Sequence, residues 1–297
     1  MKSISTLAFL LAITCIGIKA QKPILITEDS LNFGKGRIPG LSVTIPEVNY
    51  EKTLKAWTRE LQAGTRSKLI SEDNELTIFG ARLKEISENP VNVYSKLMNV
   101  DTAVKLNISI EVKKDSYIDR TNETDLSKTK LYLKAFAKNQ YIDLVNDQVN
   151  AEEQELKTLE KELSSLEKEK ASLQKSIESD NTTIVTEKDN ITLQSNELAT
   201  LTAEIIDQNK QLSATTDGPT KKTKADYIDG LEKRKKKVQN SIESSENKIN
   251  KFNNDIDKAN AEIPRNEKMQ EQVSGKIADQ NVVYQNFTDK LETIKSY

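Results

Sequence analysis

Apolar residues recur every seven positions along more than half of this chain. Val149, Leu156, Leu163, Ile177, Ile184, Ile191, Leu198, Ile205 and Leu212 fall on one heptad frame, which only Lys170 interrupts. After a break, Ile228, Ile242, Ile249, Ile256, Ile263, Ile277, Tyr284 and Leu291 fall on a second frame. A strict repeat kept over so many heptads predicts helices wound into a left-handed coiled coil. The d positions of the first frame are mixed. Leu159, Leu166, Leu173 and Leu201 are apolar, whereas Glu152, Asp180, Glu187, Gln194 and Gln208 are polar. At ~1.5 Å per residue the stretch 142–212 would be ~105 Å long.

Between the frames lies Ala214-Thr215-Thr216-Asp217-Gly218-Pro219-Thr220, and Asp-Gly-Pro interrupts a helix. The expected organisation is a first arm over 126–213, a hairpin turn over 214–225 and a second arm over 226–297. Two similar amphipathic arms around one break predict an antiparallel helical hairpin. One register places facing core positions at a constant sum of residue numbers, 436, pairing Lys170 with Asn266 and Val149 with Phe287. Shifts of seven residues fit the same pattern. Heptads also do not record which chain supplies the facing helix, so a hairpin within one chain and a bundle between chains both remain open. Pro264 lies inside the second arm, near the polar core positions Asn266 and Gln270. A hinge or a register-fixing polar layer would produce that pattern.

The pattern changes before the arms. Residues 21–125 read as a small α+β head. Leu41, Val43 and Ile45 alternate as in a half-buried strand, and so do Val104, Leu106, Ile108, Ile110 and Val112. Asn49 can cap a helix whose inner face is Tyr50, Leu54, Trp57 and Leu61, with Gly64 closing it. Short strands over 68–71 and 76–79 flank the turn Glu72-Asp73-Asn74. The expected fold class is a ferredoxin-like or related antiparallel sheet with one helix, followed by the coiled-coil hairpin. Trp57 is expected at the centre of the head core.

Residues 1–20 read as a secretory signal peptide, with Lys2 ahead of an apolar core over 7–18 and a cleavage site at Ile18-Lys19-Ala20. The mature chain would begin at Gln21 and be periplasmic or secreted. An uncleaved N-terminal anchor and a lipoprotein attached through Cys15 are the alternatives.

Composition then narrows the chemistry. The chain has no histidine and one cysteine, Cys15. Thiol nucleophiles in the mature chain, Cys/His zinc sites and Ser-His-Asp triads are thereby excluded. No Gly-x-x-x-x-Gly-Lys-Ser/Thr loop and no EF-hand loop is present. The chain is expected not to be an enzyme and to have no cofactor and no metal site.

The best candidate surface flanks the expected turn. It comprises Lys221, Lys222, Lys224, Lys233, Arg234, Lys235, Lys236 and Lys237. Such a cluster can meet an anionic envelope surface or an acidic protein. It can equally be a solvated helix start laced by Asp229–Lys233 and Glu232–Lys236 pairs. Without interleaved aromatics apart from Tyr227, no nucleic acid is expected as partner.

A signal peptide, a small head and a terminal hairpin together resemble uncharacterised exported coiled-coil proteins of Gram-negative bacteria. The resemblance is one of architecture and implies a structural or interaction role in the cell envelope, with the hairpin as spacer or assembly arm. A protein partner and a homo-oligomer formed through the coiled coil are expected. A periplasmic holdase-type chaperone is the alternative, and an envelope-polymer hydrolase with carboxylates in the head is a distant one.

Overall fold

A computed structural model describes residues 23–297. The expected signal peptide over 1–20 and the expected mature start at Gln21 lie outside the described residues. Seven strands come first in the chain, interrupted by one helix: β1 (Leu25–Phe33), β2 (Gly36–Pro46), α1 (Tyr50–Gln62), β3 (Ile70–Glu72), β4 (Glu75–Ala81), β5 (Val91–Val100), β6 (Ala103–Lys113) and β7 (Ser116–Tyr117). Two long helices follow, α2 (Glu123–Ala214) and α3 (Gly218–Ser296). The chain forms two compact units. One runs up to Glu155 and includes Gln280–Tyr297, and the other is Leu156–Asp279.

In the first unit the strands form one sheet in the order β1-β2-β6-β5-β4-β3, with β7 beside β6. Every pairing is antiparallel. The head is therefore the related antiparallel sheet with one helix. The β-α-β-β-α-β order of a ferredoxin-like fold is not the order seen. Tight turns join β3 to β4 and β5 to β6, and Asp73, Asn74 and Asp101 adopt positive φ there. These are residues that enter the left-handed region most readily after glycine. The meander thus needs no second crossover helix.

One face of the sheet carries the core. Leu41, Val43 and Ile45 of β2 and Val104, Leu106, Ile108 and Ile110 of β6 are all buried, as the two-residue period requires. Asn49 caps α1, its side chain accepting from the Lys52 amide at 3.0 Å. Trp57 and Leu61 project from α1 into the core and are fully buried. The first turns of α2 join them through Leu126, Leu133, Phe136 and Ala137. The Trp57 ring lies 5.0 Å from that of Phe136, and its Nε1–H donates to Ser95 Oγ at 2.9 Å.

The opposite face is also covered, by the curled end of the β1–β2 hairpin. Leu31, Phe33 and Ile38 pack on Tyr94. Gly40 permits this curl. A Cβ there would lie 2.5 Å from the Ile108 carbonyl oxygen and 2.6 Å from Leu31 Cδ1, closer than any side chain allows.

A second cluster in this unit joins α2 to the end of α3 through Tyr141, Val145, Leu291 and Ile294. Val145 and Leu291 of this cluster sum to the expected 436, whereas the hydrogen-bonded Glu152 and Gln280 sum to 432, about one helical turn away. Gln280 Nε2 donates to Glu152 Oε2 at 2.6 Å.

The second unit is an antiparallel helical hairpin within one chain. From Leu156 to Leu212 every a and d position of α2 is buried or half-buried, polar ones included. Leu201, Ile205, Leu231 and Val238 form the best-buried cluster, and Ile205 with Leu231 again sums to 436. Polar side chains cross-link the helices at several layers. Glu187 accepts from Ser245 Oγ at 2.7 Å and Lys248 Nζ at 2.8 Å. Gln194 donates to Ser241 at 2.7 Å. Lys170 pairs with Glu267 at 2.7 Å, while Asn266 Nδ2 donates to Glu169 at 3.0 Å. Buried polar layers of this kind favour one register over its seven-residue slips. Pro264 stays inside the continuous α3.

The turn is shorter than 214–225. It comprises Thr215, Thr216 and Asp217 alone, because α3 begins at Gly218. Pro219 falls in the first helical turn, where no amide donor is needed and its fixed φ suits the helix. The residue that breaks an interior helix here helps to start one. Among the described residues no helix is long and apolar enough to cross a membrane.

Candidate interaction surface at the hairpin turn

Asp217 organises the turn. Its carboxylate accepts from the Thr220 amide at 3.1 Å and from Thr220 Oγ1 at 2.5 Å. The Thr220 side chain, followed by its amide, holds the Asp217 carboxyl below its usual range. Thr215 returns its own hydroxyl to the Gln211 carbonyl at 2.9 Å. The helices are thus closed by side chains next to the turn.

All eight candidate cations lie on α3, which changes how they group. Lys221, Lys222 and Lys224 occupy its first two turns, whereas Lys233–Lys237 begin about 14–18 Å farther along the axis at ~1.5 Å per residue. The structure separates them into two patches. Several charges are already engaged. Lys224 Nζ donates to Gln211 Oε1 at 3.0 Å, Lys233 pairs with Asp229 at 2.6 Å, and Arg234 pairs with Glu197 at 2.6 Å. The hydrogen bond to Asp229 raises the Lys233 ammonium above its usual range. Lys235 occupies a half-buried core position. Lys221, Lys222, Lys236 and Lys237 are exposed and carry no ion pair among the described residues. Cations at a helix N-terminus oppose its dipole. Here α2 ends across a three-residue turn with no basic residue in its last turn, and the α3 lysines supply the cations that this carbonyl end lacks.

Tyr227, singled out as the lone aromatic among these charges, donates to Glu204 Oε1 at 2.6 Å. It is tied down as a strut between the helices. Donating that bond to a carboxylate raises the Tyr227 hydroxyl above its usual range.

Sequence reasoning missed a buried polar cluster in the head. Glu111 is 3% exposed and accepts from Asn92 Nδ2 at 2.8 Å, the Asp115 amide at 3.0 Å, Tyr94 Oη at 3.2 Å and Lys35 Nζ at 3.3 Å. Burial pushes the Glu111 carboxyl up, but the bonds from Asn92, Asp115 and Lys35 outweigh it and hold the group below its usual range. Burial raises the Tyr94 hydroxyl. Lys35 lies 4.8 Å from the centre of the Tyr94 ring and is held above its usual range by Tyr94 and then Glu111. Each oxygen of Glu111 has partners, so the cluster fastens the curled hairpin to the sheet.

A groove of about 620 Å³ lies between α1 and α2 in the same unit. Its charges meet each other, with Lys52 pairing Asp147 at 2.8 Å and Tyr132 donating to Glu60 at 3.0 Å. Among the described residues no group of three or more Asp or Glu side chains could hold a metal ion.

No protein-family model matches the chain, and no curated protein matches it in sequence. Among solved structures, a coiled-coil segment of Pyrococcus yayanosii Smc is similar at a TM-score of 0.46 and 17% identity. The match covers 53% of this chain and 66% of that one, just under two thirds of its length.

Proposed function

We propose that the chain is a non-enzymatic interaction protein of the cell envelope, whose hairpin serves as a spacer or assembly arm and whose turn touches an anionic surface. The observation that supports this reading is the hairpin itself. Its core positions are filled without a gap, its polar layers set one register, and four lysines at and beyond its turn remain exposed and unpaired. A two-helix arm spends most of its residues on length and stiffness, which suits a spacer better than a reaction centre. Each exposed lysine near an anionic lipid surface contributes about 1 kcal/mol, an attraction that fades within a Debye length of ~8 Å, so Lys221 and Lys222 at the turn carry most of it.

The test is co-sedimentation of the full chain with vesicles of phosphatidylglycerol and phosphatidylethanolamine at low salt. Binding is expected, with loss on added salt and in the variant carrying Lys221→Gln, Lys222→Gln, Lys236→Gln and Lys237→Gln. No binding by the unaltered chain, or equal binding by the variant, rejects the turn as the contact.

A further inference from the structure

Glu111 of β6 holds an amine on one carboxylate oxygen and a carboxamide on the other. Lys35 Nζ lies 3.3 Å from Oε1, and Asn92 Nδ2 donates to Oε2 at 2.8 Å. Three parts of the chain supply these groups. Asn92 stands directly across the β5–β6 ladder from Glu111, so the two side chains leave the same face as neighbours. Lys35 comes from the turn between β1 and β2, which the packing of Leu31, Phe33 and Ile38 on Tyr94 folds back over that face.

A fourth group completes the arrangement. The register of β4 on β5 shifts between Ile78 and Ala81, and Gly80 there adopts φ 79°. A bulge of this kind takes a residue out of the ladder and re-aims it. The Gly80 N–H donates to Asn92 Oδ1 at 3.2 Å. The Asn92 carboxamide is thus oriented by its partners, its oxygen on a donor and its nitrogen on a carboxylate. An ion pair that only fastens the hairpin needs Lys35 and Glu111 alone. It does not need an amide whose carbonyl oxygen is polarised and whose NH2 group faces the carboxylate that also holds the amine.

We propose that Lys35 and Asn92 form an intramolecular isopeptide bond, with Glu111 as the acid–base group. Lys35 first gives a proton to Glu111 and becomes a neutral amine. The amine lone pair attacks Cγ of Asn92, and the displaced carbonyl electrons move onto Oδ1, where the Gly80 N–H meets the new charge. Glu111 gives its proton to Nδ2 and takes one from Nζ. The Cγ–Nδ2 bond then breaks, its electron pair leaves with the nitrogen, and the carbonyl re-forms. Nζ is now an amide nitrogen on Asn92 Cγ. The departing ammonia takes the proton left on Glu111 and leaves as ammonium. Nothing is oxidised or reduced, and no co-reactant is consumed.

The ion pair opposes the first proton transfer, because Lys35 is held above its usual range and Glu111 below it. Two features offset this. Groups held together in good orientation react as if at effective concentrations of roughly 10⁵–10⁸ M. The reaction also runs once per molecule, so a slow step suffices. The Lys35 side chain is 40% exposed, which leaves ammonia a route to solvent, and dilution there draws the exchange forward. The bond ties the tip of the β1–β2 hairpin to a central strand. It acts on the chain itself and leaves the spacer role as it stands.

Mass spectrometry of the full chain, kept folded at mildly alkaline pH, tests this. The chain is expected to be lighter than its sequence by one ammonia. Because other glutamine and asparagine side chains can also lose ammonia, a tryptic map locates the change. Trypsin should leave Lys35 uncut and yield a branched peptide that joins Glu85–Lys96 to the segment ending at Arg37. In Glu111→Gln the branch should form roughly 100-fold more slowly, the loss expected for removal of acid–base help. In Lys35→Arg, which keeps the charge, it should be absent. Tryptophan fluorescence and circular dichroism establish that both variants are folded. No branch in the unaltered chain after prolonged incubation overturns the proposal. A branch that forms in folded Glu111→Gln at the unaltered rate, or one that joins other residues, overturns it too.

Discussion

The carboxylate of Glu47, just after β2, lies 2.6 Å from Nζ of Lys290, near the end of α3, and both side chains are three-quarters buried. Glu47 makes this contact from a left-handed backbone conformation, φ 62°, while its amide donates to the Thr102 carbonyl at 2.7 Å. The ammonium also sits 5.4 Å from the centre of the Tyr141 ring. The last turns of the chain are thereby fastened to the sheet and to α2 at one point.

That geometry separates two effects at position 47. Glu47→Ala loses the ion pair, roughly 1–2 kcal/mol for a charged hydrogen bond of this burial, and keeps the strained backbone. Glu47→Gly loses the same pair but relaxes a left-handed conformation worth about 1 kcal/mol. Urea unfolding should therefore rank Gly above Ala, the reverse of their order in a helix. Equal midpoints would refute the role given to the backbone.

Trp57 provides a second probe. Its indole N–H reaches Ser95 Oγ at 2.9 Å in a fully buried setting. Ser95→Ala leaves that donor unsatisfied and should destabilise the head by about 1–3 kcal/mol. Trp57→Ala should cost about 3–5 kcal/mol. Because this is the chain's one tryptophan, its fluorescence reports directly on Ser95→Ala unfolding. A loss below experimental error would show that the bond is not needed.

Glu111 predicts an acid-sensitive head. Its carboxyl is held below the ordinary value of 4.5 in the folded state. The unfolded chain therefore binds the proton first. The stability that Glu111 supplies is complete above about pH 4.5 and is lost as pH falls through the lower folded value. Glu111→Gln should lower stability at neutral pH and flatten the acid limb of the stability profile. Parallel profiles for the two proteins, measured by denaturant midpoints from pH 7 to pH 3, would exclude this source of acid sensitivity.

Pro264 lies within α3, where it cannot donate to the carbonyl four residues earlier. Pro264→Ala restores that bond and should stabilise the hairpin by up to about 3 kcal/mol. Asn266, 5% exposed two residues on, would still hold the polar layer. Circular dichroism melting should show a higher midpoint. No rise would mean that neighbouring groups already compensate the missing donor.

The coiled coil was legible because its period is imposed along the whole of both helices. Lys170 and Asn266, read as one polar layer, do meet there through Glu267 and Glu169. The head was legible only where one face is apolar. β1 escaped notice because Ile26 turns to the main core while Leu31 and Phe33 turn to the other face, with Glu28-Asp29-Ser30 between them. Val91 to Leu97 lacks a strict two-residue alternation of apolar residues, yet it lies in β5, a strand paired on both sides. Glu111 alternates with apolar neighbours and so reads as solvent-facing. It is buried because the β1–β2 hairpin folds back over that side, a tertiary event with no local signal. At the turn, Pro219 is ambiguous as a residue type, and only the Asp217 cap decides that it begins a helix.

The cluster of Tyr141, Val145, Leu291 and Ile294 acts as a proofreader of the hairpin. Heptad cores tolerate a slip of seven residues, because apolar groups meet apolar groups again. The end of α3 does not. A chain that zipped one heptad out of step would bring Lys290 past or short of Glu47 and leave Ile294 without Tyr141. An error made among nearly interchangeable layers is thus detected where the partners are unique.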